Sequence, residues 1–160
     1  MEAIHELVAA HPLFAGLPDD VVETVAGCAR NAAFTPGTLL LAEGGEADTL
    51  FLVRRGRVAI EVHAPERGAL VIETVGPGAV VGWSWLIPPW RWHFDARAVE
   101  EVGAVTLDAT CLRSKAEADP ALGYVLLQRI TSVLLERLQS TRLRLLDLYG
   151  PPDHSHGTSR

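Results

Sequence analysis

The chain has 160 residues, enough for one well-buried domain and short for two. It is 48% hydrophobic and carries a formal net charge of −6, which argues against a basic nucleic-acid-binding surface. No run approaches the roughly 18 consecutive apolar residues of a membrane span, and the acidic, polar start lacks the basic opening of a secretory signal. The expected location is the cytoplasm. Cys28 and Cys111 follow no metal spacing and read as two free, buried thiols of a reducing compartment.

Residues 2–10 predict a short helix, broken by His11-Pro12-Leu13-Phe14-Ala15-Gly16-Leu17-Pro18. Asp19-Asp20 then open a second helix, to about Ala29, with acidic side chains at the positive end of its dipole. Val21, Val22, Val25 and Ala26 give it an apolar face. From Asn31 the pattern changes to short apolar runs separated by glycine turns: Leu39–Leu41, Leu50–Val53, Val58–Val62, Leu70–Val75, then about Phe94–Glu100 and Gly103–Leu107. This spacing predicts roughly eight antiparallel strands in a double-stranded, jelly-roll-like β-roll.

Between those strands lies the segment Gly82–Ala98, which holds all four tryptophans: Trp83, Trp85, Trp90 and Trp92. A glycine opens it, Pro88-Pro89 interrupt it, and Arg97 follows on a strand. The pattern suits a small lined pocket for an anionic or aromatic ligand. Backbone N–H groups after Gly82 would meet the anion and flat rings would stack on the ligand. The opposite reading is that the tryptophans fill the space themselves. Asp95 and Arg97 also allow a plain ion pair.

Asp119 caps a long helix that runs from Pro120 to Tyr149, where Gly150-Pro151-Pro152 stop it. Residues 151–160 read as a disordered tail, so that 1–150 form the domain and 120–149 its dimer helix. One stripe of that helix (Leu122, Val125, Leu126, Ile130, Val133) suits packing on the roll. A second, Tyr124, Leu127, Thr131, Leu134, Leu138, Thr141, Leu145 and Leu148, alternates by three and four residues as a heptad seam. One small domain cannot cover both, so the second predicts a homodimer. Arg129, Arg137, Arg142 and Arg144 read as part of a mixed, solvated face.

Helices, a glycine-punctuated roll and a dimerising helix resemble the cyclic-nucleotide-binding domain of the catabolite-activator and fumarate–nitrate-regulator superfamily. The residues that carry the resemblance are Phe34–Gly37, Glu43–Val58 and Val75–Gly82. It implies a ligand cassette in which Gly-Glu is followed by a short helix and Arg-Ser/Thr-Ala. The glutamate holds a ribose hydroxyl, and the arginine and hydroxyl hold a cyclic phosphate. Here Gly82 matches, Trp83 stands at the glutamate, Trp92-His93-Phe94 stand at Arg-Ser-Ala, and Arg97-Ala98 match a later Arg-Ala of some members.

The resemblance thus implies a regulatory module with an atypical cassette. Its expected ligand is a small anionic or aromatic molecule other than cyclic AMP, or cyclic AMP bound more weakly. The expected contacts are Gly82, Trp83, Ser84, Arg97 and Ala98 below, Trp92 and His93 at the wall, and Thr131 from the helix. The dimer is expected through Leu127, Thr131, Leu134, Leu138 and Leu145. No cofactor is certain: a cyclic nucleotide or another small anionic or aromatic ligand is the candidate, a protein partner is a further one, and a ligand-free dimeric scaffold or a genuine cAMP/cGMP sensor are the alternatives. In transcription factors of this superfamily the helix leads into a helix-turn-helix. The sequence shows none after Tyr149, so no autonomous sequence-specific DNA binding is expected. No nucleophile elbow, P-loop or metal motif is found, so no catalytic or metal residue is assigned and no enzyme is expected.

Overall fold

The computed structural model describes residues 3–149. Two short helices, α1 (Ile4–Ala10) and α2 (Asp19–Ala26), flank a single 3-10 turn, Pro12–Phe14. The buried His11 starts that turn, its Nδ1 accepting from the Leu13 N–H at 3.2 Å. Eight strands follow: β1 (Ala29–Phe34), β2 (Leu39–Leu41), β3 (Thr49–Arg55), β4 (Val58–Ala64), β5 (Gly68–Val75), β6 (Val80–Val81), β7 (Asp95–Ala98) and β8 (Val102–Asp108). They form two antiparallel sheets, ordered β1-β8-β3-β6 and β2-β7-β4-β5. This is the expected double-stranded roll with N-terminal helices and a long C-terminal helix.

In the first sheet Leu50–Val53 and Val102–Val105 are buried on both faces, which explains their unbroken apolar runs. One core cluster joins these strands to Val58 and Ile60 of the second sheet. It also takes in Leu7, Val8, Val22 and Val25 from the N-terminal helices. β5 behaves differently. It is an edge strand, and Leu70, Val71 and Ile72 are exposed.

Two helices close the fold. α3 (Ala109–Ala118), which the sequence reading did not anticipate, is capped by Asp108, whose side chain accepts from the Cys111 N–H at 2.9 Å. α4 runs Pro120–Tyr149, as expected. Asp119 separates the two: it is extended before Pro120, and its Oδ1 accepts from the N–H groups of Ala121 and Leu122. Leu122, Leu126 and Ile130 bury the first apolar stripe in the core, with Val133 half-buried beside them. The helix stop at Gly150 and the 151–160 tail lie outside the described residues.

The cysteines correct the sequence reading. Cys28 and Cys111 are joined as a disulfide, 83 residues apart, with Cα atoms at 5.7 Å. Spacing alone hid the pair because its halves meet only when the complete roll returns β8 to the start of β1. Asp108 N–H donates to the Cys28 carbonyl at 2.9 Å, which sets α3 against that end of the sheet. The thiol argument for a reducing compartment therefore falls. Among the described residues, no helix is long and apolar enough to cross a membrane.

A bridge that encloses the entire roll restricts the unfolded chain strongly. Replacing both cysteines by serine is expected to lower the urea-unfolding free energy by about 2–4 kcal/mol. Thiol titration of the unfolded, unreduced protein is expected to find no free thiol among the two cysteines.

Candidate ligand-binding site

The segment between β6 and β7 is built around a close contact. Gly82, which ends β6, has φ +91, a conformation that side chains disfavour. A Cβ there would lie 2.8 Å from the indole of Trp92 and 3.1 Å from the Thr49 carbonyl. Trp92 is 5% exposed, and its Cδ1 lies against Gly45. Backbone pairing holds it in place. Trp92 N–H donates to the Gly45 carbonyl at 3.0 Å, and the Trp92 carbonyl accepts from Gly44 N–H at 2.9 Å. The ring that stands at the cassette-arginine position is thus packed inward, on the glycine.

The other tryptophans separate. Trp83 is half-buried, tilted against Phe94 with centroids 6.1 Å apart. Ser84 and Trp85 lie buried in a 3-10 turn, Ser84–Leu86. Leu86 and Ile87 N–H groups donate within that turn, to Trp83 and Ser84 carbonyls. After a cis Pro88-Pro89 peptide, Trp90 is exposed with φ 55. Two arginines from the closing helices cover opposite ends of the segment. Arg113 of α3 lies 5.0 Å over Trp90 and donates to the Trp85 carbonyl at 2.6 Å. Arg137 of α4 lies 4.6 Å over Trp83 and donates to the Val80 carbonyl at 2.7 Å.

Between this segment and α4 lies an open cleft of about 240 Å³, lined by Ile60, Glu73, Trp83 and Phe94 of the roll and by Leu134, Arg137, Leu138 and Thr141 of α4. That is below the usual span of about 300–1,000 Å³ for small-molecule pockets. Burial draws the Arg137 pKa below the ordinary guanidinium value, opposed by the nearby Glu73 charge.

The structure brings Gly82 and Trp92 into contact, places Trp83 and Ser84 next to Gly82 with the Trp83 ring turned to Phe94, and sets Arg97, Ala98, His93 and Thr131 apart from them. Arg97 lies on the face of β7 opposite Ala96 and Ala98. Its Nε pairs with Glu61 at 3.3 Å and its Nη1 donates to the Gly37 carbonyl at 2.8 Å. It is therefore a sheet-face ion pair and not part of a pocket floor. The cause is strand alternation: with Ala96 and Ala98 in the core, Arg97 must point the other way. Asp95 does not pair with it and instead accepts from Glu43 N–H at 2.7 Å. Ala98 is core, and His93 is exposed rather than lining a wall. Thr131 is exposed on α4, and the helix meets the cleft at Leu134 to Thr141 instead.

Arg137 was missed by reading the arginines of the last helix as solvated. The available signal was its position: it follows Ile130 by seven and Val133 by four, within the stripe that covers the roll. Arg129 and Arg144 also reach backbone carbonyls of the folded body, at Leu13 (3.5 Å) and Ile72 (2.9 Å).

Comparison with known proteins agrees with this architecture. Residues 32–119 match the family model described as the cyclic nucleotide-binding domain. The chain is 28% identical over 143 residues to a CRP-like cAMP-activated global transcriptional regulator of Mycobacterium tuberculosis (strain CDC 1551 / Oshkosh), covering 89% of this chain and 62% of that protein. It therefore spans about three-fifths of the curated relative's length. Among solved structures, a candidate cyclic nucleotide-binding protein from Geobacter metallireducens GS-15 is 30% identical with a TM-score of 0.76, covering 86% of this chain and 99% of that one. A cyclic nucleotide-binding domain from Methylobacillus flagellatus KT is 26% identical with a TM-score of 0.76, covering 91% and 82%.

The Trp92–Gly82 packing has a measurable consequence. Trp92→Ala is expected to leave a cavity and cost about 3–5 kcal/mol in urea unfolding. A loss below about 1 kcal/mol would mean that the ring is not seated on Gly82.

Proposed function

The chain belongs to the cyclic nucleotide-binding domain family, and from that membership we propose that it is a non-enzymatic regulatory module whose cassette does not take cyclic AMP in the family's ordinary way. It responds to another small ligand or to a protein partner, and it acts as a homodimer through α4. The observation that carries this reading is the indole of Trp92 on Gly82, at the place where the resemblance puts the phosphate-binding arginine. Trp83, at the place of the ribose-binding glutamate, offers a ring where a carboxylate would accept a hydroxyl. An unpaired hydroxyl costs about 1–3 kcal/mol, and the missing charge-assisted phosphate contact is among the stronger terms in such sites. Together they weaken a cyclic nucleotide by a few powers of ten, to about millimolar or beyond.

A second reading, a ligand-free interaction module, draws on the same filling. Trp83 and Phe94 line a cleft of only about 240 Å³. A net charge of −6 argues against phosphate-backbone binding by these 160 residues, so DNA binding by this module alone is not expected.

The dimer reading rests on the exposed seam of α4. Tyr124, Leu127, Leu138, Leu145 and Leu148 are all exposed, an apolar row that water disfavours. Thr131 lies exposed in the same row. Leu134 departs from the expected seam: it is half-buried against the core and lines the small cleft.

Calorimetric titration with cyclic AMP, with cyclic GMP alongside, tests the cassette reading. No saturable heat is expected up to about millimolar ligand, and one-site micromolar binding would overturn it. For the dimer, Leu127→Asp with Leu145→Asp is expected to give monomers by light scattering while the far-ultraviolet circular dichroism keeps its folded form. An unchanged dimer would assign the interface elsewhere.

A further inference from the structure

Arg137 occupies a position that an apolar side chain would fill more cheaply. It stands in the core-facing stripe of α4 yet makes no ion pair with any described carboxylate. Of its five N–H donors, Nη2 alone meets an acceptor among the described residues, the Val80 carbonyl. Arg137 lines both the small cleft beside Trp83 and a larger groove of about 580 Å³ on the other side of the helix's buried stripe. That groove runs between α4, the 3-10 turn at Pro12-Leu13 and the turn before β6 at Gly78–Val80. From α4 come Arg129, Arg137, Gln128, Ser132 and Glu136. Gln128, Ser132 and Glu136 recur every four residues on the flank of α4 away from Leu127 and Leu138, so a dimer through the seam leaves the groove open.

We propose that this groove is a receptor for a small oxyanion, a carboxylate or phosphate group, held between the Arg137 and Arg129 guanidiniums. Arg137 contributes free donors at the inner end. Arg129 reaches the rim, where its one hydrogen bond, to the Leu13 carbonyl, is long at 3.5 Å and easily exchanged for an anion. Glu136 lines the same groove and Glu73 lies near Arg137, so a bare anion is not the best fit. The mixed lining selects an anion that also carries a hydroxyl or ammonium donor for Glu136. The volume leaves room for an organic body around the anionic group. Because the site-forming guanidinium also stacks on Trp83, an occupant would act directly on the contact that holds α4 over the cassette. This site lies outside the cassette, so it stands or fails independently of the cyclic-nucleotide result.

The test is calorimetric titration of the full chain, at constant ionic strength, with inorganic phosphate, ribose 5-phosphate and malate. Saturable binding of at least one of them at about millimolar or tighter is expected, and the tightest identifies the anion's chemical source. Arg137→Met, which replaces the half-buried guanidinium with an apolar chain, is expected to weaken it by at least about tenfold. Arg129→Gln at the half-buried rim is expected to weaken it by about threefold or more. Arg97→Gln, on the far face of β7, is expected to change nothing. No saturable heat from any of the three, or equal binding by wild type and the folded Arg129→Gln protein, overturns the proposal.

Discussion

The indole of Trp92 resting on Gly82 is the contact on which the centre of the molecule depends. It requires a residue without a Cβ at φ +91, and it draws the Gly44-Gly45 turn, the end of β6 and the approach to β7 into one packed unit. A large ring in that place fills space that a polar ligand would otherwise share with water. The same ring completes the core, so a change at Trp92 alters packing and the shape of this segment together.

The long helix is held by two different kinds of contact. Its first half is anchored by apolar burial at Leu122, Leu126 and Ile130. Further along, the anchors are the arginines at 137 and 144, which reach the carbonyls of Val80 and Ile72. Arginine suits this because its long stem packs on apolar surface while its planar head reaches out to a carbonyl or a ring. Apolar burial is insensitive to a small anion, whereas a guanidinium is not.

A second arginine, Arg113, makes the matching contact from α3 to Trp90 and the Trp85 carbonyl. The tryptophan-rich segment is thus tied at both ends, to α3 by Arg113 and to α4 by Arg137. α3 is in turn fixed to the α2–β1 junction by the Cys28–Cys111 bridge and to α2 by Lys115, which donates to the Thr24 carbonyl at 2.8 Å. The tryptophans are distributed between two helix contacts and the core, and they do not line one common pocket.

The sequence by itself determined the roll, its turns and the length of the last helix. These follow from local period and turn chemistry: alternating apolar runs, glycines at positive φ, and Asp119 before Pro120. It also pointed to Gly82 and Trp92, which meet, but in one set with Arg97, His93 and Thr131, which do not join them. Tertiary structure alone decided which way side chains face and which distant residues meet. Arg97 was turned to the sheet face because its two neighbours entered the core. Arg137 became half-buried because the stripe it continues packs on the roll and brings its guanidinium over Trp83. The cysteines paired because β8 returns beside β1. Each of these depends on contacts between residues far apart in the chain, which no local period encodes.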